Sequence, residues 1–286
     1  MPKDKSLTLS IIIPVYNEQA HLKACLDAID RQTFAPDEVI IVDNNSTDGS
    51  MKIARQYSFV KIIREPKQGL IFARNAGFNA AKSDILARID ADAYIPPNWV
   101  DRVKHDFKHD SKLSGITGPG VNNFKTIYDI PALSKFSSLM YFWHMRGYLG
   151  INVLWGANMA IRRPVWLQVR KDVCLDDHLV HEDQDLSLLI SSFGGKLKLD
   201  SNLCVNFDGA ALQEFDVLRE YFHRRTTTKR YHSKRGTFKA PGMKKVPIVK
   251  RFLYYLITEP LVGFFYLTSL LYTPRTKNYI SSIKRQ

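Results

Sequence analysis

Cysteine is scarce in this chain. Cys25, Cys174 and Cys204 are the only three in 286 residues, they lie far apart, and they form no C-x-x-C pair. That spacing excludes a disulfide framework or a cysteine zinc site and points to a reducing compartment. Also missing after the first apolar run are the G-x-G-x-x-G fingerprint and the G-x-x-x-x-G-K phosphate loop, so a dehydrogenase or a P-loop ATPase loses its main support. There is no internal repeat and no linker-like stretch, which favours one large domain with an appendage. The opening Met1-Pro-Lys-Asp-Lys precedes only a short apolar run with no small-residue cleavage site. The expectation is a chain without a secretory signal, in the cytoplasm, whose overlapping glycosylation sequons at Asn44-Asn45-Ser46-Thr47 are silent.

With 45% hydrophobic and 24% charged residues, the chain can bury a core. Its formal charge of +13 is local: residues 219–251 hold twelve Lys/Arg against Glu220 alone, whereas the remainder carries 29 basic and 27 acidic residues. A phosphate-rich or anionic-membrane partner is implied for that segment; a solvated helical face is the plainer alternative.

Short β-branched runs alternate with segments of helical period, the pattern of an α/β fold with a mainly parallel sheet. Residues 9–15 read as a buried strand, and Leu22, Cys25, Leu26 and Ile29 then follow at i, i+3, i+4, i+7. Strands are expected at 39–42, 60–63 and 85–89. Helices are expected after a cap in Ser46-Thr47-Asp48, over 71–81, and through Leu186, Leu189, Ile190 and Phe193.

Polar residues end these strands: Tyr16-Asn17-Glu18 after the first, Asp43-Asn44 after the second, Asp90-Ala91-Asp92 after the fourth. The carboxyl edge of an open α/β sheet is where ligands bind. Acceptor oxygens there can take the N–H of a base and the hydroxyls of a ribose, and a carboxylate pair can hold Mg²⁺ or Mn²⁺ on a diphosphate. Asp-x-Asp alone is a weak signal, because Asp183-Gln184-Asp185 repeats it. The first copy also reads as a turn cap, the second as acids favoured by a helix N-terminus. The aromatic stretch 140–146 and Trp155 read either as core or as a wall over a sugar, and His144, His223 and His232 show no ligand-like spacing with the acids.

Six landmarks in order resemble glycosyltransferase family 2, the inverting transferases of the GT-A fold. They are Pro14-Val-Tyr16-Asn17-Glu18; Asp43 to Gly49; Gly69 with Ala73-Arg74-Asn75-Ala-Gly77; Asp90-Ala91-Asp92; Trp155-Gly156-Ala157-Asn158; and Glu182-Asp183. The resemblance covers about two-thirds of the chain. It implies a Rossmann-like GT-A catalytic domain over residues 1–213, with a nucleotide-binding part to about 115 and an acceptor part over 116–213. Residues 214–286 would then be a basic and apolar helical appendage. It further implies that Pro14, Tyr16, Glu18, Asp43 and Asn44 line the nucleoside pocket, that Arg74 assists the diphosphate, that Asp90 touches the ribose and that Asp92 binds a Mg²⁺ or Mn²⁺ cofactor. Asp183 would be the general base, with Glu182 next in line.

The chain departs from the family pattern in two places. Many relatives carry two aspartates where Asp43-Asn44 stands, and many place a histidine near Asn206-Phe207-Asp208, where Asp208 would supply the third metal contact. The Gln-x-x-Arg-Trp signature of processive polymerases is missing, which favours transfer of single sugars. The implied partners are a nucleotide-sugar donor, a UDP-sugar by preference, and a glycan or lipid-linked acceptor. Transfer with inversion needs one base and no covalent intermediate, so a catalytic triad is not required. A nucleotidyltransferase, a non-catalytic sugar binder and a nucleic-acid module built on Arg224-Arg225 and its neighbours are the alternatives. Nothing in the strand-end acids suits a polyanion, so no nucleic-acid partner is expected.

Residues 252–272 are apolar but for Glu259, which is followed by Pro260 near the middle, and positive charge flanks both ends. Length permits a span, while the proline and the flanks favour two short helices lying in the cytoplasmic leaflet. The expected location is therefore peripheral, at the cytoplasmic face of a membrane.

Overall fold

The computed structural model describes residues 6–122, 131–207 and 215–238. Asp208 and the apolar stretch 252–272 lie outside them. Five short runs rich in Ile, Val and Leu form half of the architecture: β1 (Leu9–Val15), β2 (Glu38–Asp43), β3 (Val60–Arg64), β4 (Ile85–Ile89) and β6 (Leu113–Thr117). They join β8 (Asn158–Arg162) and β9 (Lys196–Leu199) in a seven-stranded sheet of order β3-β2-β1-β4-β8-β6-β9. All neighbours run parallel except β8, which is inserted antiparallel to both β4 and β6. A second, three-stranded sheet pairs β5 (Ala93–Tyr94), β10 (Val205–Phe207) and β7 (Gly120–Asn122).

Period-two alternation in β1 divides the core between the faces of the large sheet. Ile11 and Ile13 pack with α1 (Leu22–Asp30) and α4 (Trp99–His109), whose buried residues Leu22, Cys25, Leu26, Trp99, Val103 and Phe107 lie at helical spacing. Ile12 faces the other way, toward α3 (Leu70–Ala80), α6 (Arg163–Val169) and α7 (Glu182–Ser192), through Phe78, Trp166, Leu186 and Leu189. Gly77 lets α3 approach closely: a Cβ there would stand 2.3 Å from Ile12 Cγ2. Phe193, expected on the apolar face of α7, instead follows its end and is half exposed.

The remaining helices are the short α2 (Ser50–Ala54), the long α5 (Pro131–Leu149) and α8 (Phe215–Lys234), which packs on α7. Several cations of α8 are engaged inside the fold. Arg225 lies 2.8 Å from His144 Nε2, and with Lys229 it flanks the Tyr148 ring at 4.8 and 4.1 Å. Lys229 also donates to the Tyr148 carbonyl, and Arg235 donates to the Asp172 carbonyl. No described helix is long and apolar enough to cross a membrane.

Candidate active site

The loops that leave β1 and β2 are laced together at the carboxyl edge of the sheet. Asn17, at φ 56°, accepts from the Thr47 N–H and donates its own N–H to Ser46 Oγ. The Glu18 N–H donates to Ser50 Oγ and the Gln19 N–H to Asp48. Asp48 also accepts the Ser50 N–H, so the expected cap on α2 is made one residue ahead of Gly49. Asp43 caps the turn through the Ser46 N–H. Tyr16 is exposed at the tip of β1, whereas Pro14 is buried within the strand.

Asn44 is 3% exposed and its amide is committed to the next loop. It donates to the Glu65 and Lys67 carbonyls and accepts from the Gly69 N–H at 2.9 Å. Its place is therefore structural: it holds the turn into α3, where Gly69 adopts φ 134°. Arg74 likewise departs from the expected diphosphate contact. Its side chain is fully buried, with Nη1 donating to the Glu182 carbonyl at 2.5 Å and the other nitrogens to Asn75 Oδ1. It thus ties α3 to the first residue of α7.

Glu18, Asp90 and Asp92 form an acidic group at the tips of β1 and β4. Burial and the negative charges of Asp90 and Glu18 push the Asp92 carboxyl up to about 7. Burial also raises Glu18, against the pull of His21, which lies 3.0 Å away. Carboxylate oxygens at this edge are the donor type a divalent cation takes, although Asp90 is already paired with the Arg88 guanidinium at 2.8 Å. His181, Glu182 and Asp183 also bring ligand atoms within 4.8 Å of one another. There too one carboxylate is engaged, Glu182 Oε1 lying 2.8 Å from the Arg88 guanidinium.

Asp183 is 9% exposed at the start of α7. Its Oδ2 accepts from the Gly156 N–H at 3.4 Å, and Oδ1 has no partner among the described residues. Burial, and then the charge of Glu182, raises its pKa. Burial acts the same way on Glu182, but the Arg88 guanidinium and its hydrogen bond outweigh it and hold that carboxyl ionised. The two neighbouring acids are thus driven apart, the arrangement expected where one of a pair exchanges protons.

Two residues of the site escaped the sequence reading. Arg88 is a cation in the middle of the apolar strand β4, and its position there was the available signal. His232, unassigned from its spacing, places Nε2 3.0 Å from Asp185 Oδ1, both side chains being fully buried. The aromatic stretch divides: Phe142 and Met145 are core, Trp143 is 43% exposed, and Trp155 packs edge-on against Phe207 at 5.2 Å.

Comparison with known proteins bears on the family and the fold. The chain is 37% identical to glycosyltransferase AglE of Haloferax volcanii over 121 residues, 40% of this chain and 37% of that one. It is 34% identical to the putative glycosyltransferase EpsH of Bacillus subtilis over 99 residues, 33% of this chain and 29% of that one. The matched part therefore spans about a third of these relatives' own lengths. In structure, the chain resembles the mannosyltransferase PcManGT from Pyrobaculum calidifontis in complex with GDP-Man and Mn²⁺, with TM-score 0.63 and 19% identity over 94% of this chain and 74% of that one. It also resembles S. aureus TarS in complex with UDP, with TM-score 0.54 and 17% identity over 86% and 77%. These likenesses confirm the GT-A fold. The family model for glycosyl transferase family 2 matches residues 10–222, and the chain belongs to that family.

Proposed function

We propose that the chain transfers a single sugar from a nucleotide-diphosphate sugar, UDP-linked by preference, to a hydroxyl of a glycan or lipid-linked acceptor, with inversion at the anomeric carbon. The observation that carries this reading is Asp183, a buried carboxylate with one oxygen fixed by the Gly156 N–H and the other unpartnered among the described residues. The free oxygen is suited to take the acceptor proton as the acceptor oxygen bonds to the anomeric carbon and the bond from that carbon to the diphosphate oxygen breaks, the bonding pair leaving with the nucleotide. A base raised toward the working pH suits this task, whereas Glu182, ionised and bound to Arg88, is spent on structure.

On the donor side, Tyr16, Glu18 and Asp43 line the nucleoside edge and Asp90 takes the ribose hydroxyls. Asp92 holds the divalent cation with Glu18 beside it; Asp208 is proposed from sequence alone. A bound Mg²⁺ or Mn²⁺ would offset charge on the departing diphosphate. Two structural relatives were solved with GDP-Man and Mn²⁺ and with UDP, which supports a nucleotide-sugar donor without fixing the base.

The division into a catalytic part over residues 1–213 and a basic appendage over 214–286 is retained as a proposal. Within it, the basic segment 219–251 and the apolar 252–272 would bring the site to the cytoplasmic surface of an anionic membrane.

A thermal-shift screen of UDP-, GDP- and dTDP-sugars with and without Mn²⁺, followed by NMR of the product, tests the reading. A donor should raise the melting temperature, and an α-linked donor should give a β-linked product. No response to any nucleotide sugar, or net retention, overturns it.

A further inference from the structure

Arg88 links the two halves of the site. Its side chain is 1% exposed within β4, where an unpaired guanidinium is costly; its Nε has no partner among the described residues, so the terminal nitrogens carry the pairing. One terminal nitrogen donates to Asp90 Oδ1 and the other to Glu182 Oε1, each at 2.8 Å. Asp90 closes the donor edge; Glu182 opens the helix that carries Asp183. The space for the guanidinium comes from Gly156, where a Cβ would lie 2.7 Å from Arg88 Cζ and both terminal nitrogens. The Gly156 N–H is the donor that Asp183 Oδ2 accepts, so one turn both admits Arg88 and holds the base. Arg74 completes the frame from the other side by binding the Glu182 carbonyl.

We propose that Arg88 is a positioning residue for transfer: a two-pronged bridge that sets the ribose-side carboxylate of Asp90 and the base helix of Asp183 in one fixed relation. This inference rests on the reading of Asp183 as the base. A planar fork with two donors at a fixed angle can serve two carboxylates at once, and a lysine ammonium on a flexible stem cannot hold both in that geometry. The bridge acts through Glu182, whose side chain touches Arg88 and leaves the proton transfer to its neighbour.

Arg88→Lys keeps the charge and removes the fork. With the donor whose turnover the screen detects, kcat should fall about 10²-fold, the scale of a misplaced reacting group, while the dissociation constant for that donor with Mn²⁺ changes far less. Gly156→Ala, which presses on the guanidinium without altering any charge, should move kcat in the same direction. In a double-mutant cycle, Arg88→Lys and Glu182→Gln together should lose little more than the worse single variant, because both break one bridge. Equal losses in kcat and affinity, additive single effects, or a kcat within twofold of the parent for Arg88→Lys would each overturn the positioning role. Asp183→Asn is measured alongside. If it keeps parental turnover, the base assignment falls by itself, and a non-additive cycle still identifies Arg88 and Glu182 as one unit.

Discussion

Asp185 and His232 meet at 3.0 Å with neither side chain exposed, joining the first turn of α7 to α8. The other Asp185 oxygen accepts the Cys174 N–H at 3.1 Å, and His232 Nδ1 lies 2.8 Å from Thr237 Oγ1. Thr228, also buried, accepts the His181 N–H one turn earlier. The helix that presents Asp183 is therefore braced from α8. Removing the imidazole by His232→Ala leaves a buried carboxylate with a single backbone donor. The expected cost is about 3 kcal/mol, or roughly 10 °C in melting temperature. Calorimetric unfolding checks it, and a fall under about 2 °C would show that the brace contributes little.

Asp183→Asn should keep the donor affinity and lower turnover by about 10² to 10⁴. In the parent, burial and the Glu182 charge push the Asp183 carboxyl up to about 7. The base form is the ionised one, so kcat should rise with pH through that region and level off above it. The amide variant should lose this limb and keep only a residual flat rate. A parental pH profile in the variant would place the base elsewhere.

Asp92→Ala should abolish Mn²⁺-dependent binding of the donor and leave the fold intact. Asp92 sits in a group whose burial and like charges oppose its ionisation. Removing it relieves repulsion, so the melting temperature without metal should be unchanged or higher, in contrast to the loss expected for His232→Ala. Titration calorimetry with UDP and Mn²⁺ is decisive: parental affinity in the variant would remove Asp92 from the metal site.

The parts of this fold legible in the sequence are those set by local period. Leu9–Val15 is apolar but for Ser10, as suits a strand buried on both faces, and Leu22, Cys25, Leu26 and Ile29 mark the buried stripe of α1. The small sheet went unread because β5 and β10 are two and three residues long, too short to show alternation. The reversed β8 escaped for another reason: strand direction is set by tertiary connection and leaves no periodic trace. In the site, strand-end acids could be found by position. Glu182, the second partner of Arg88, lies 94 residues away and Asp185, the partner of His232, 47 residues away, distances over which spacing carries no information. Arg74 was visible as part of a motif, yet its burial depended on how α7 packs over α3.

Gly77→Ala tests the closest contact between helix and sheet. The added methyl would meet Ile12 Cγ2 at 2.3 Å and Val42 Cγ2 at 2.9 Å, both on β-branched side chains of central strands that cannot swing aside. Overpacking of this kind costs about 1–3 kcal/mol. Denaturant unfolding should show a lower midpoint, and because α3 also carries Arg74, activity should fall with it. An unchanged midpoint would mean that α3 can lift from the sheet without penalty.

The basic appendage yields the last prediction. Arg225, Lys229 and Arg235 are held by His144, Tyr148 and Asp172, so part of the charge of α8 serves the fold. Arg230 and Lys234 are exposed, and Lys239, Lys244, Lys245, Lys250 and Arg251 follow in sequence before the apolar 252–272. Charge next to an apolar stretch predicts binding to anionic lipid in two parts, one screened by salt and one not. Full-length protein should float with liposomes containing phosphatidylserine and less with neutral ones, and the bound fraction should fall as salt rises. Replacing Lys244, Lys245, Lys250 and Arg251 with Gln should remove the salt-sensitive part of the binding. Full-length protein that stays in solution with anionic liposomes at low salt would refute the membrane proposal and leave the transferase assignment untouched.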